Sequence, residues 1–188
     1  MPRDKTNYEK LKTIATLENL TINGHEESIG HMLRCANLAI KFANFLNDKN
    51  IDIELLEDCA LFHDIGKLKI PKSVLYKKGK LNKKELAIVQ SHSNFKFKNF
   101  RNSIIQECIN WHHDNCELMP IKTLTSLSSY TKIVRLLDFY DALSYPRCYR
   151  KVRFSNKEIC EEISKNIGTQ FDVYYGKLFI KMLSLKLN

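Results

Sequence analysis

His63 and Asp64 stand side by side in LFHDIGK, at the end of an apolar run, with Gly66 and Lys67 directly after. An imidazole and a carboxylate placed where a core belongs cost desolvation energy unless something pairs with them. A metal cation is one such partner, and other residues of the right type recur at helical spacing. Glu27 and His31 are one i,i+4 step apart, so both can face one point. His112 and His113 follow Trp111 at the end of another helical stretch, and Asp138 interrupts the apolar pattern of KIVRLLDFYDAL. Nitrogen and carboxylate ligands without thiolates suit iron, manganese or zinc, and more are present than one ion needs. Two adjacent ions bridged by a carboxylate such as Asp64 would clamp a phosphoryl group and lower the pKa of a shared water for in-line attack. That chemistry is phosphoester hydrolysis.

Each residue also has an ordinary structural explanation. The His63–Asp64 pair can cap a helix or bond within the core, and His92 in VQSHSN can sit on the surface. The paired histidines can complement a helix C-terminus. Asp138 can pair with Arg135 or Arg34. These explanations must be invoked one at a time, whereas a metal centre accounts for the residues together.

The elements that must position these groups are helices. Ile29, Met32, Leu33, Ala36, Ile40 and Ala43 recur at helical spacing across 27–47, and Leu56, Cys59 and Ala60 repeat the pattern in 53–64. Further helical patterns cover 6–18, 83–99, 102–112, 129–143, 156–166 and 171–186, punctuated by Gly24, Pro71, Gly79, Pro120, Pro146 and Gly168. Gly66 supplies the end of the helix that carries His63 and Asp64. Alternating stretches long enough for a strand are lacking. The expected fold is all-α, a compact single-domain helical bundle, with 114–128 as a loop between two core helices.

Length and composition agree with a globular domain. The chain has 188 residues, of which 44% are hydrophobic and 27% charged, and a net charge of +9. Basic residues cluster in KKGKLNKK (77–84) and RCYRKVR (147–153), which favours polyanionic partners such as phosphorylated small molecules or nucleic acid. Six cysteines form no C-x-x-C pair and lie in apolar helical patterns, so buried free thiols are expected. With no run of 18 apolar residues and no signal-peptide core at the start, the expected location is the cytoplasm, without membrane contact.

Taken together, EESIGHMLRCANLA, ALFHDIGKLKIPKSVLYKKGKLN, IVQSHS, the histidine pair, and IVRLLDFYDALSYPRCYRK with GTQFD resemble the HD superfamily of metal-dependent phosphohydrolases. Their spacing is most similar to the HD-GYP branch. The resemblance covers roughly 24–186, so 1–23 is expected as an N-terminal helical extension and 24–188 as the HD-type domain. It implies Glu27, His31, His63, Asp64, His92, His112, His113 and Asp138 as ligands of two divalent ions, iron or manganese, with Glu27 the ligand of members that hold a third. Asp64 and Lys67 are implied as catalytic, with Lys67 on the scissile phosphate and Arg147 and Lys151 on the phosphates of the substrate. The implied reaction is hydrolysis of a cyclic dinucleotide, cyclic di-GMP first, by a metal-bridged hydroxide. The alternatives are an HD-type hydrolase acting on another nucleotide phosphoester and a nucleotide-sensing module without catalysis. Stable nucleic-acid binding is not expected, and regulation is expected from outside the chain rather than from an attached sensory domain. After His113 the chain reads DNCELMPIKTLTS, so the Gly-Tyr-Pro motif of that branch is absent.

Overall fold

A computed structural model describes residues 3–100, 102–113, 126–146 and 152–185. The described helices are α1 (Arg3–Leu17), α2 (Glu26–Leu46), α3 (Ile53–Phe62), α4 (Lys72–Leu75), α5 (Lys83–Gln90), α6 (Ser103–Trp111), α7 (Ser129–Ser144), α8 (Asn156–Lys165) and α9 (Val173–Ser184). Two 3-10 turns lie between them, Ile65–Lys69 after α3 and Ser91–Asn94 after α5. The all-α expectation is met. Among the described residues the one β-type pairing is an isolated bridge between Ile167 and Phe171.

α2 forms the spine of the bundle. Met32, Cys35, Ala36, Ala39, Phe42 and Ala43 recur every three or four residues on its buried side. The three alanines keep that stripe thin, which suits the close packing of α3, whose Leu56, Cys59 and Ala60 are buried in the same core. α7 packs on both helices with Ile133, Val134, Leu136 and Leu137 buried, and α6 packs on α3 and α7. α8 and α9 close the far side, where Phe179 meets Phe42 edge-on at 5.1 Å between ring centres. α1 is tied to α3: Leu11 and Ala15 join the core, while Arg3 and Asn7 bond Glu57 and Lys10 bonds Asp58. Helix starts follow their caps, with Asp52 accepting from the Glu54 and Leu55 amides and Asn82–Glu85 closing a capping box.

Two local expectations change. The helical pattern of 83–99 stops at Gln90. Ser91 Oγ donates to the Ile88 carbonyl (2.7 Å), His92 Nδ1 to Val89 (2.6 Å) and Ser93 Oγ to Gln90 (3.1 Å). Three consecutive side chains reaching back to the backbone compete with the helical ladder and tighten it into the 3-10 turn. Gly66, in turn, does not end α3 in the left-handed conformation. α3 closes at Phe62, and Gly66 lies inside the following turn without a positive φ. A Cβ there would stand 1.9 Å from the His92 carbonyl oxygen, so the glycine lets the two 3-10 turns touch backbone to backbone. Lys67 is in the same ordered turn.

Cys35, Cys59 and Cys108 are buried free thiols and Cys160 is a partly buried one, while Cys116 and Cys148 lie outside the described residues. No described helix is long and apolar enough to cross a membrane.

Candidate metal centre

Five elements deliver ligand atoms to one place. α2 brings His31, the end of α3 brings His63 and Asp64, the turn after α5 brings His92, the end of α6 brings His112 and His113, and α7 brings Asp138. They form two groups, each with its ligand atoms within 4.8 Å of one another: His31, His63, Asp64 and Asp138, and Asp64, His92, His112 and His113. Asp64 belongs to both. Its Oδ2 is 3.3 Å from His31 Nε2 and 3.6 Å from His63 Nε2. Its Oδ1 is 3.1 Å from His92 Nε2 and 3.4 Å from His112 Nε2. Asp138 places Oδ1 3.0 Å from His31 Nε2 and Oδ2 3.9 Å from His113 Nδ1. Glu27 joins neither group. It lies one turn before His31 and lines a neighbouring cavity together with Lys67.

The outer nitrogens of the rings fix what the inner ones can do. His63 Nδ1 donates to the Ala60 carbonyl at 2.8 Å, His92 Nδ1 to Val89 at 2.6 Å, and His112 Nδ1 to Cys108 and Ile109, both at 3.0 Å. A carbonyl only accepts, so each of these Nδ1 atoms carries the proton and each neutral ring turns an Nε2 lone pair inward. His31 is held alike, its Nδ1 donating to Asp141 Oδ2 at 2.7 Å. His31 Nε2 then meets His63 Nε2 at 3.2 Å, and His92 Nε2 meets His112 Nε2 at 3.3 Å. Lone pairs from four imidazoles and two carboxylates thus converge on one place, with Asp138 (14% exposed) and His113 (41%) at its solvent side.

This arrangement fits divalent cations. His31, His63 and Asp64 are 0% exposed, and Asp64 Oδ1 is a buried oxygen with no hydrogen bond although two imidazole nitrogens lie within 3.4 Å. With Nδ1 donating to a carbonyl, those nitrogens offer it no proton while the rings are neutral. Burial and the neighbouring imidazoles push His112 down to about 4, which keeps it in the neutral ligating form. Burial also opposes charge on His31, yet Cys35 and the carboxylates of Asp138, Asp141 and Asp64 outweigh it and hold its pKa well above the ordinary value. The carboxylates remain ionised: burial alone would raise the Asp64 pKa, but Lys67 and the adjacent imidazoles hold it well below the usual range.

Several residues that the spacing did not single out support the centre. Asp141 accepts from His31 and also from Arg34, Nε at 2.7 Å and Nη2 at 2.9 Å. Its signal was present in the chain: Asp138 and Asp141 are three residues apart, as are His31 and Arg34, so each pair shares a helix face. Arg34 therefore pairs with Asp141 rather than Asp138, and Arg135 donates to the Trp111 and Gln170 carbonyls. His92 is buried instead of lying on the surface. Cys35 approaches His31 at Nδ1 (3.6 Å), the nitrogen already turned to Asp141, and burial pushes its thiol pKa up, which makes it a poor ligand. Lys67 Nζ bonds Asp64 Oδ2 at 2.5 Å. Arg147 and Lys151 lie outside the described residues.

A family model for the HD domain matches residues 28–144. The chain is 24% identical over 177 residues to a 3′3′-cGAMP-specific phosphodiesterase (number 2) of Vibrio cholerae, covering 89% of this chain and 34% of that protein. A second Vibrio cholerae enzyme of the same description (number 3) is 29% identical over 152 residues, 76% of this chain and 32% of its own length. The cyclic di-GMP phosphodiesterase PdeB of Borreliella burgdorferi is 29% identical over 176 residues, 89% of this chain and 45% of its own. The chain thus spans about a third to just under half the length of these relatives.

Proposed function

The chain belongs to the HD domain family, and on that premise we propose that it is a metal-dependent phosphodiesterase acting on a cyclic dinucleotide. The observation that carries this reading is the pair of ligand groups joined through Asp64, one carboxylate oxygen turned to each. Divalent ions bound there would polarise a phosphoryl oxygen and lower the pKa of a water. The residues of the chain do the rest. Asp64 would be the residue shared between two ions, with His31, His63 and Asp138 to hold one and His92, His112 and His113 to hold the other. The Ala60, Val89 and Cys108 carbonyls and Asp141 orient the rings, which is the usual task of groups behind a ligand. Lys67, next to Asp64, supplies a fixed cation for a phosphate oxygen whose charge grows during cleavage. A donor set of nitrogen and oxygen suits iron, manganese or zinc, and the resemblance to the HD superfamily points to the first two. The relatives named for 3′3′-cGAMP and cyclic di-GMP support the substrate class, and the buried free thiols support a reducing, cytoplasmic setting.

The test is anaerobic reconstitution with Fe²⁺ or Mn²⁺, metal analysis, and a product assay on cyclic di-GMP, 3′3′-cGAMP, linear dinucleotides and mononucleotide phosphoesters. Cleavage of a cyclic substrate that a chelator stops and Asp64→Asn abolishes is the expected result. A fully metal-loaded protein that leaves every cyclic dinucleotide intact overturns the proposal.

A further inference from the structure

We propose that the cavity beside the metal centre, lined among others by Glu27, Ser28, Lys67, Tyr76 and Leu86, seats a purine base of the substrate, and that Tyr76 positions that base. The assignment rests on the phosphodiesterase reading above for the identity of the occupant. The cavity begins where the ligand cluster ends, because Lys67 both bonds Asp64 at 2.5 Å and lines the cavity wall. A group that extends from a phosphate at the cluster past Lys67 therefore enters it. In a nucleotide phosphodiester that group is a ribose with its base.

Size and lining agree. The volume is about 390 Å³, within the range of roughly 300–1,000 Å³ for small-molecule sites and enough for one nucleoside. Leu75, Leu81, Leu86 and Val89 supply apolar wall suited to the faces of a planar ring, and Leu86, on α5, is 46% exposed. Tyr76 adds an aromatic ring and a hydroxyl held 2.9 Å from Ser28 Oγ, itself part of the cavity wall, and 3.1 Å from His25 Nδ1. His25 is 1% exposed and belongs to neither ligand group. A buried histidine and a buried serine converging on one hydroxyl fix its direction, which is what a polar contact to a base edge needs. Glu27 and Lys67 complete a wall of apolar surface with a few convergent polar groups.

The experiment is titration calorimetry on the metal-loaded protein with guanosine 5′-monophosphate and with inorganic phosphate. The nucleotide is expected to bind roughly tenfold or more tightly than phosphate, the factor that stacking and burial of one base supplies. Leu86→Trp, which fills the cavity from an exposed position, should reduce that ratio to near one, and Tyr76→Phe should reduce it roughly fivefold through loss of one hydrogen bond. If Leu86→Trp does not fold by circular dichroism, Leu81→Trp blocks the same cavity and decides the matter. Equal affinity for nucleotide and phosphate in the wild type overturns the base seat even if cyclic dinucleotides are cleaved. So does a preference that survives filling of the cavity. A wild type that prefers the nucleotide through this cavity but cleaves no cyclic dinucleotide keeps the seat and overturns the phosphodiesterase reading.

Discussion

Asp141→Asn asks how much a carboxylate behind a ligand contributes, because the change alters charge and hydrogen bonding but hardly shape. Asp141 Oδ2 accepts from His31 Nδ1 at 2.7 Å and Arg34 Nη2 at 2.9 Å, and Oδ1 accepts from Arg34 Nε at 2.7 Å. An amide has one oxygen for these three donors. Turned toward His31, it sets its NH₂ against Arg34 Nε. Turned the other way, it forces the His31 proton onto Nε2, among Asp64, Asp138 and His63. The first arrangement wins, since the Arg34 side chain is 32% exposed and can turn to water whereas His31 is 0% exposed. Losing a charge-assisted bond costs ~1.5–3 kcal/mol, and the exposure of Arg34 places the cost near the lower end. At roughly 2–4 °C per kcal/mol for a chain of this size, the melting temperature should fall by about 3–6 °C. Loss of the negative charge that polarises His31 should weaken metal binding about 10–100-fold. Competition with a chromogenic chelator for Mn²⁺, with a melt of the metal-free protein alongside, measures both. Metal affinity within a factor of about two of wild type would refute a ligand-orienting role for Asp141.

Gly66→Ala should destabilise by about 3 kcal/mol, the upper part of the range for overpacking, because the new methyl meets the His92 backbone rather than a side chain that can move; an unchanged melting temperature would contradict the contact. Lys67→Gln is expected to keep its metal and lose roughly 10²-fold in turnover, the cost of one transition-state donor; unchanged turnover would refute a catalytic part for the lysine. Glu57 carries a pH prediction. Burial alone would raise its pKa, but the bonds from Arg3 and Asn7 and the charge of Arg3 hold it below the ordinary 4.5. A carboxyl lowered on folding stabilises above that value and loses its contribution as pH falls through and below it. Glu57→Gln should therefore melt below wild type at neutral pH, with the gap narrowing below pH 4.5; a gap constant into the acid range would refute the pairing.

The helices were readable because their cores are written in spacing: the stripe from Met32 to Ala43 and the Leu56–Cys59–Ala60 set have no other use than burial. The candidate ligands were readable for the opposite reason. Histidine and aspartate inside such stripes are costly, and only a shared purpose makes seven of them tolerable at once. What spacing could not convey was three-dimensional. Glu27 and His31 share a helix face, yet a face is wide enough for one to meet the ligand groups and the other a separate cavity. Gly66 read as a helix terminator because glycine commonly is one; its reason is a backbone on another turn, 26 residues away, that sequence does not juxtapose. The end of α5 at Gln90 depends on three side chains choosing nearby carbonyls, a choice made together with the burial of His92.

Contact between Gly66 and the His92 carbonyl also bears on which ions the centre tolerates. Asp64 directly precedes one of two turns that meet through main chain and His92 lies on the other, so backbone contact limits how far these two residues can approach each other. Packed backbone does not breathe with ionic radius. Divalent ions of slightly different size must then accept the same gap, through longer or shorter bonds, rather than reshape it. Exchanging one for another should change occupancy and rate while leaving the helices where they are.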